Sequence, residues 1–273
     1  MQGWHNTLTA QVYEDYAQTQ TSYKETARDL VAYAQLRGGI TVIDLACGTG
    51  IVIEELLRHL DEASQVIGVD NSRAMLAVAQ GKIHAPNVQF VSSSAEQMDA
   101  ALPVQADRIV CNSAFWQVRM NVAVRAIRNV LHDDGHFVFN LPRTYFRFSE
   151  DEEIPAPSST SFSQLMQEIA MREYGFVPPP LTPQRFRPYT FARVQDIFNA
   201  NGMMIESHKT IEYPKTAEEG RAFFTIPIMT ERQFPGLSYE TRMAILAKAW
   251  EQHDRSGYSN IWTYFLARKE YVR

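Results

Sequence analysis

Short β-rich runs alternate with helical patterns between about residues 22 and 143 of this 273-residue chain. The β-rich runs are TVIDLA (41–46), QVIGVD (65–70), VQFVSS (88–93), RIVCNS (108–113) and HFVFNLP (136–142). In the segments between them, such as GIVIEELLRHL and NVAVRAIRNVLHD, apolar residues recur every three or four positions, which is typical of amphipathic helices. Such alternation builds a parallel sheet through right-handed crossovers. The pattern predicts an α/β fold with helices on both faces of the sheet.

Two long segments interrupt this pattern after Pro142. We expect one domain over 1–273, made of a helical lid segment (1–38), a cofactor-binding core (39–143) and insertions at 144–188 and 214–259. Helix and strand patterns return between the insertions, at 191–202 and 203–214, and a last strand pattern covers 260–270. Long irregular connections inside a compact domain usually serve as functional lids, so we interpret both insertions as lid and substrate segments.

Composition restricts the partners and the compartment. Acidic residues exceed basic ones by 31 to 26, so the chain offers phosphate backbones and anionic lipids no general attraction. No leader-like N-terminus and no run of about 18 apolar residues is present. Cys47 and Cys111 have no metal-ligand spacing around them. We expect a cytoplasmic protein that acts on a small molecule, without nucleic acid, membrane or metal; composition leaves the oligomeric state open.

The stretch VIDLACGTGIVIEELL (42–57) joins an apolar run to a helix through a turn with two glycines. In a dinucleotide site with G-x-G-x-x-G spacing, a third glycine lets helix and strand pack closely. Gly48 and Gly50 fit the first two places, but Ile53 occupies the third. Asp70 ends the next β-rich run, twenty positions after Gly50, at a suitable distance for accepting hydrogen bonds from ribose hydroxyls. The spacing favours ribose recognition over pyrophosphate recognition.

The same turn resembles motif I of the class I S-adenosylmethionine-dependent methyltransferases, an acid followed by a small residue and G-x-G. Here the motif consists of Asp44, Ala46, Gly48 and Gly50, with alanine where many members carry glycine. VIGVDNSRAML, VSSSAEQMD and DRIVCNSAFWQV resemble motifs II, III and IV, so the resemblance spans about residues 10–143. It is strongest to the small-molecule type, such as the ubiquinone-biosynthesis and malonyl-carrier methyl-ester methyltransferases. It implies a Rossmann-like, doubly wound, seven-stranded, mostly parallel sheet with an antiparallel last strand and helical lid insertions.

The resemblance also implies a site for S-adenosyl-L-methionine. Gly48 and Gly50 would allow close backbone approach, Asp70 would accept from the ribose diol, and main-chain groups around Ala46 and Asn112 would hold the methionine end. The remaining cofactor-binding residues that it implies are Tyr16, Tyr23, Asp44, Asn71, Met75, Ser94, Ala95, Glu96 and Phe115. Asn71, Met75, Ala95 and Glu96 would surround adenine, with Ser94 where many members carry aspartate. Tyr23 and Tyr16 would belong to a lid over the methionine carboxylate, and Phe115 and Trp116 to a ligand wall.

The acceptor side is less sharply defined. The insertions combine large apolar side chains with arginines, which favours a mostly apolar or aromatic acceptor, with an arginine to pair with a carboxylate. The residues concerned are Phe146, Phe148, Phe162, Tyr174, Phe186, Tyr189, Phe223, Phe224, Arg143, Arg147, Arg185 and Arg187. Alternatively, these aromatic residues form a small core of the lid itself. Where the acceptor must lose a proton, Tyr145, Tyr189 and His208 are candidate catalytic bases.

We therefore expect an S-adenosylmethionine-dependent methyltransferase that methylates an O, N or C nucleophile of a small metabolite. Two alternatives stay open from the sequence. One is a nucleotide-dependent oxidoreductase, which Ile53 disfavours. The other is a catalytically inactive partner subunit with the methyltransferase fold, against which the intact Asp44, Gly48, Gly50 and Asp70 argue.

Overall fold

A computed structural model describes residues 3–152, 162–179 and 188–270. Arg185, Phe186 and Arg187 of the first insertion lie outside the described residues. Seven strands form the main sheet in the order β3-β2-β1-β4-β5-β9-β8. They are β1 (Thr41–Leu45), β2 (Gln65–Asp70), β3 (Val88–Ser92), β4 (Ala106–Cys111), β5 (Leu131–Pro142), β8 (Met203–Lys215) and β9 (Tyr258–Lys269). The strands β1 to β5 pair in parallel, and β9 runs antiparallel between β5 and β8. The predicted fold class is confirmed.

Helices flank this sheet and make up most of the described part of the two insertions. They are α1 (Thr7–Thr19), α2 (Thr21–Tyr33), α3 (Ile51–Leu56), α4 (Arg73–Lys82), α5 (Met98–Ala101), α6 (Met120–Val130), α7 (Phe162–Tyr174), α8 (Phe191–Asn199), α9 (Ala217–Thr225), α10 (Pro227–Gln233) and α11 (Tyr239–Gln252). A two-stranded sheet of β6 (Phe146–Arg147) and β7 (Tyr189–Thr190) lies beside the main one. In the described part of the chain, no helix has the length and apolarity needed to span a bilayer.

The helix after the glycine turn is shorter than the pattern predicted. The sequence indicated a helix to about residue 60, but α3 ends at Leu56. Beyond it the amides of Arg58 and His59 donate to Glu55 and Leu56, three residues back. The last turn therefore tightens into 3-10-type bonding, as helix ends often do.

Alternate residues of the central strands enter two separate cores. Ile43 and Leu45 of β1 pack in one buried cluster with α6 and α8, whereas Val42 packs in the other with α2 and α3. This alternation follows from the two-residue period of a strand, and it leaves both faces of the sheet covered. Asp44 is the buried acid among these positions, at the end of β1 that leads into the glycine turn.

The two insertions form a small core of their own. Met166 and Ile169 of α7 pack against Ile245 and Ala249 of α11, and Phe162 and Phe224 join this cluster from its edge. Phe146 lies instead in the main core. Several of the aromatic residues of the insertions therefore stabilise this small core rather than line a pocket.

Close packing of α3 on the sheet uses a glycine at a different place from the dinucleotide pattern. Ile53 is fully buried where that pattern has its third glycine, and Gly68 of β2 lies opposite. A Cβ on Gly68 would lie 2.8 Å from Ile53 Cδ1 and 2.8 Å from Phe90 Cδ1. Gly68 of the strand, rather than a glycine of the helix, therefore leaves the room that Ile53 needs to pack on the sheet.

We expect Gly68→Ala to destabilise the protein by about 1–3 kcal/mol, because the new methyl group overpacks a closed core. Urea unfolding measures the change. Adding Ile53→Val, which removes the clashing Cδ1 atom, should recover part of the loss, so the two substitutions should be non-additive. Gly81→Ala in α4 is the matched control: its Cβ would meet open space, and in a helix it should be neutral or stabilising by up to about 1 kcal/mol. Equal losses for Gly68→Ala and Gly81→Ala would contradict the packing argument.

Candidate active site

A cavity of about 830 Å³ opens at the carboxyl ends of the parallel strands, where doubly wound sheets bind ligands. Most of the predicted cofactor residues line it. They are Tyr16, Tyr23, Ala46, Gly48, Asp70, Asn71, Met75, Ser94, Ala95, Glu96 and Asn112. One of the three candidate bases, Tyr145, also lines it.

The glycine turn is tied to β2 by a carboxylate. The amide of Cys47 donates to Val69 O (3.0 Å), which extends the β1–β2 pairing into the turn, and the amide of Gly48 then donates to Asp70 Oδ2 (2.9 Å). The other oxygen, Oδ1, accepts from the amide of Ser72 at 2.7 Å. Burial raises the pKa of Asp70, and these two amide bonds oppose the rise. Asp70 therefore faces the turn, with its carboxylate fixed before any ligand arrives.

Gly48 and Gly50 have different functions. Both have left-handed backbone conformations, with φ of 54° and 91°, which glycine adopts without strain. Gly48 lines the cavity, whereas a Cβ on Gly50 would lie 2.6 Å from Ile83 Cδ1, beneath α4. Gly50 therefore shapes the turn and its packing, and it does not line the cavity.

Asp44 is a buried acid that lies outside the cavity lining. Its side chain is 1% exposed, and neither carboxylate oxygen has a hydrogen-bond partner among the described residues. Burial, assisted by the charge of Asp70, raises the pKa of Asp44 well above its ordinary value. An unpaired buried carboxyl is costly, and a cationic ligand group beside it would remove that cost.

Two non-glycine residues at the cavity floor also have left-handed backbones. Ala46 has φ of 57° and Ser113 has φ of 59°, a conformation that costs about 1 kcal/mol or more for an L-residue. The amide of Ser113 donates to Asn140 Oδ1 (2.7 Å), and Asn140 Nδ2 donates to Asn112 Oδ1 (2.7 Å). This buried amide network fixes the ends of β4 and β5 where main-chain groups face the cavity.

The N-terminal segment covers the cavity. Ser72 Oγ donates to Trp4 O (2.7 Å), and Trp4 Nε1 donates to Gln117 Oε1 (3.2 Å). Tyr13 packs edge-to-face on Trp4 and shares a short hydroxyl–hydroxyl bond with Tyr23. Residues 3–33 thus form an aromatic roof over the turn.

The far end of the cavity has aromatic walls and cations. Trp116 stacks on Tyr145 with ring centroids 3.6 Å apart. Arg143 pairs with Glu152 at 2.6 Å, and Arg232 lies exposed at the rim. Burial raises the pKa of the Tyr145 hydroxyl, and the charge of Arg232 opposes the rise.

Lys215, the last residue of β8, is buried in the same wall. It is 6% exposed, and its ammonium donates to the Tyr16 hydroxyl at 3.0 Å. Burial lowers the pKa of Lys215 to about 8, with partial compensation from Glu219.

Besides Gly50 and Asp44, three further predicted site residues lie outside the cavity lining. Phe115 is fully buried among Phe137, Phe139 and Phe198, because the chain turns its ring inward and leaves Trp116 at the cavity. Tyr189 pairs with Phe146 in the small sheet, and its ring lies under Arg193. His208 lies on β8 among Phe148, Phe191 and Phe265. Neither Tyr189 nor His208 lines the cavity, so we no longer propose either as a base.

Sequence reasoning missed Trp4 and Lys215 as cavity residues. Lys215 ends a strand at the carboxyl edge of the sheet, and that position could have indicated it. Trp4 precedes the first helix by only three residues, and no motif singles it out.

Comparisons with known proteins agree with this geometry. Residues 42–135 match a family model described as a methyltransferase domain. The malonyl-(acyl-carrier protein) O-methyltransferase of Halalkalibacterium halodurans is 31% identical over 121 residues, covering 42% of this chain and 44% of the relative. The trans-aconitate 2-methyltransferase of Acidovorax sp. is 30% identical over 156 residues, covering 57% and 54%. The chain spans about half the length of these curated relatives.

Residues 42–135 form a methyltransferase domain. The fold likeness extends beyond it: a methyltransferase from Geobacter sulfurreducens, solved with S-adenosyl-L-homocysteine, has a TM-score of 0.57 at 14% identity, covering 95% of this chain and 98% of that one. The resemblance to methyltransferases that the motifs indicated is confirmed over residues 42–135. The comparisons lend no support to the oxidoreductase.

The raised pKa of Asp44 predicts the sign of a stability change with pH. A folded-state pKa above the unfolded value, near 4, means that unfolding releases a proton between the two values. Asp44 therefore lowers stability as pH rises from about 4, by up to about 1.4 kcal/mol per pH unit, until its folded-state pKa is passed. We expect Asp44→Asn to become more stable relative to wild type as pH increases, measured by urea unfolding from pH 4 to 9.

Asp61 supplies a control of opposite sign. Hydrogen bonds from Ser64 and the Gly39 amide lower the pKa of this exposed carboxyl. Its contribution is present above the unfolded pKa and is lost as pH falls through the folded pKa, so Asp61→Asn should lose stability relative to wild type at neutral pH but not in acid. Parallel pH profiles for the two variants would show that Asp44 is not held in the folded protein as an unpaired buried acid.

Proposed function

We propose that this protein transfers the methyl group of S-adenosyl-L-methionine to a small, largely apolar or aromatic acceptor. The observation that carries the proposal is the cradle of Gly48 and Asp70, with the unpartnered carboxyl of Asp44 beneath it. The two relatives support a small-molecule acceptor, since one is named for a malonyl group on a carrier protein and the other for trans-aconitate. The net charge of −5 argues against nucleic acid as the substrate. The two free, buried cysteines agree with a reducing compartment such as the cytoplasm.

The residues present fit the proposed cofactor. Asp70 would accept from the ribose diol, since each carboxylate oxygen has a second lone-pair site beyond its amide bond. Asp44 would compensate the ammonium of the methionine end. Met75, Asn71 and Trp4 would enclose adenine at the other end of the turn.

The cofactor supplies an already activated methyl group, so the chain's own residues mainly orient the acceptor and exclude water. The Trp116–Tyr145 stack provides a flat wall for an apolar acceptor. Because burial raises its pKa, Tyr145 is poorly suited to be a base at neutral pH. We propose Tyr145 as an orienting residue and expect no dedicated base.

Calorimetry tests the cofactor. Wild type should bind S-adenosyl-L-homocysteine and not respond to nicotinamide dinucleotides. Asp70→Ala should weaken binding about ten- to a hundredfold, the scale of one hydrogen bond to a charged acceptor. Asp133→Ala is the matched control, because Asp133 is an exposed acid at the start of β5, paired only with Lys269 among the described residues. Equal affinities of the Asp70 and Asp133 variants would refute the ribose assignment.

Methyl transfer itself is measured by mass spectrometry after incubation with S-adenosyl-L-methionine and a set of metabolites. A mass gain of one methyl group on one acceptor, lost in the Asp70 variant, would support the proposal. Cofactor binding with no methylated product from any acceptor class would instead favour the inactive partner subunit.

A further inference from the structure

Lys215 is a buried lysine that forms no ion pair with the described residues. Its ammonium lies over the rings of Tyr16 (5.5 Å), Phe223 (5.2 Å) and Tyr258 (5.8 Å). These π-faces hold a cation, and the one described hydrogen bond, to Tyr16, uses one of its three N–H groups. In the described chain, lysines form ion pairs at Lys82, Lys248 and Lys269, and Lys215 is not among them.

Glu219, the acid whose charge acts on Lys215, forms its hydrogen bonds with other groups. Glu219 Oε1 accepts from the amide of Ser22 (3.0 Å), and Oε2 accepts from the amide of Thr216 (3.0 Å) in the capping box of α9. Glu219 therefore joins two helix starts and compensates Lys215 only through space. Burying a lysine without an ion-pair partner is costly, which favours a role with a ligand.

Topology places Lys215 at the acceptor end of the cavity. It ends β8, the edge strand, which is separated from β4 by β5 and β9. Three strand spacings place β8 about 14 Å from β4 and about 19 Å from β1, where the turn lies. Lys215 therefore starts from the opposite side of the sheet edge from Gly48 and Asp70, which follow β1 and end β2.

Charge divides the cavity in the same direction. The acids that line it among the described residues are Asp70 and Glu96, both at the cofactor end, whereas Lys215, Arg143 and Arg232 line the acceptor end. Arg143 is paired with Glu152, and Arg232 lies at the exposed rim. Among the described residues, Lys215 is therefore the one cation at the buried end of the acceptor space that could pair with an anionic group of the acceptor.

We propose that Lys215 binds a carboxylate of the methyl acceptor. The inference rests on the proposed function and names its substrate class, an acid with an apolar or aromatic body. One ammonium with two N–H groups to donate matches the single charge of a carboxylate. Where that carboxylate is also the nucleophile, its oxygen forms the new O–CH3 bond as the C–S bond breaks. The products are a methyl ester and S-adenosyl-L-homocysteine, and no proton is released.

The test compares acids with their amides. Benzoate, 3-phenylpropanoate, octanoate and succinate, each with its uncharged amide, are titrated into wild type with and without S-adenosyl-L-homocysteine. At least one acid should bind about tenfold or more tightly than its amide, the scale of a charge-assisted hydrogen bond. If no acid binds more tightly than its amide, the proposal is wrong.

Lys215→Met should remove the preference for the acid and leave amide binding unchanged, and Lys215→Arg should keep much of the preference. Lys209→Met is the matched control, since Lys209 lies on the same strand over Tyr33 and Tyr264, outside the cavity. Methionine removes a buried charge, so folding should be preserved, as urea unfolding checks. An acid preference that survives Lys215→Met would overturn the assignment.

The affinity for S-adenosyl-L-homocysteine separates the two proposals. It should be the same in Lys215→Met as in wild type; a loss there would instead assign Lys215 to the carboxylate of the cofactor. No binding of S-adenosyl-L-homocysteine to wild type, with the acid preference retained, would refute the cofactor assignment and not the role of Lys215.

The preference for an acid over its amide should also weaken above pH 8. The free ammonium has a pKa of about 8, so above pH 8 acid binding must take up a proton and should weaken by up to about tenfold per pH unit. The titratable groups around it are Tyr16 on α1, Glu219 on α9 and Tyr258 on β9. Burial raises the pKa of both phenols, that of Tyr258 to about 12, so they keep their protons in this range. In Lys215→Met and Lys215→Arg the slope should disappear; the same slope in all three proteins would contradict the role of Lys215.

Discussion

The hydrogen bond from the Gly48 amide to Asp70 joins the two strands that define the cofactor end of the cavity. Asp70 simultaneously accepts from Ser72, whose side chain begins α4 and donates to the carbonyl of Trp4. One carboxylate thus connects the turn, a helix start and the N-terminal roof. A residue that binds ribose must be rigid before the ligand arrives, because each group ordered on binding lowers affinity. The amide bonds to Asp70 provide this rigidity.

Rigidity is combined with buried ionisable groups that the described residues do not pair. Among those residues, Asp44 has no hydrogen-bond partner beneath the turn, and Lys215 has no ion-pair partner at the other end of the cavity. Each raises the free energy of the empty protein, and a ligand of opposite charge would lower it. Structural burial alone would favour apolar residues at both places. An acid and a lysine buried at these two places are explained by binding rather than by folding.

The sequence predicted the core of the site better than its periphery. Gly48, Asp70 and Asn112 are encoded by local patterns, since each follows a buried strand at the carboxyl edge of the sheet. Phe115 and Trp116 show the limit: both follow β4, and only the fold decides that the first ring enters the core and the second faces the cavity. For His208 the register of β8 against β9 decides its environment, and no local pattern gives that register. Lys215 could not be singled out because its cage is assembled from α1, α9 and β9, elements far apart in sequence.

The distribution of charge along the cavity explains how one site can hold two ligands in a fixed order. The proposed cofactor is cationic at its sulfonium and ammonium, and it would meet Asp70 in the cavity wall, with Asp44 buried behind that wall, at the end formed by β1 and β2. A cofactor displaced into the acceptor end would bring these positive charges to Lys215, where like charges repel in a poorly solvated space. An anionic acceptor is attracted to the cationic end and repelled by the acids at the other. Lys215 therefore contributes to specificity even before it forms a hydrogen bond, because it excludes the wrong ligand from the end of the cavity where the acceptor must lie.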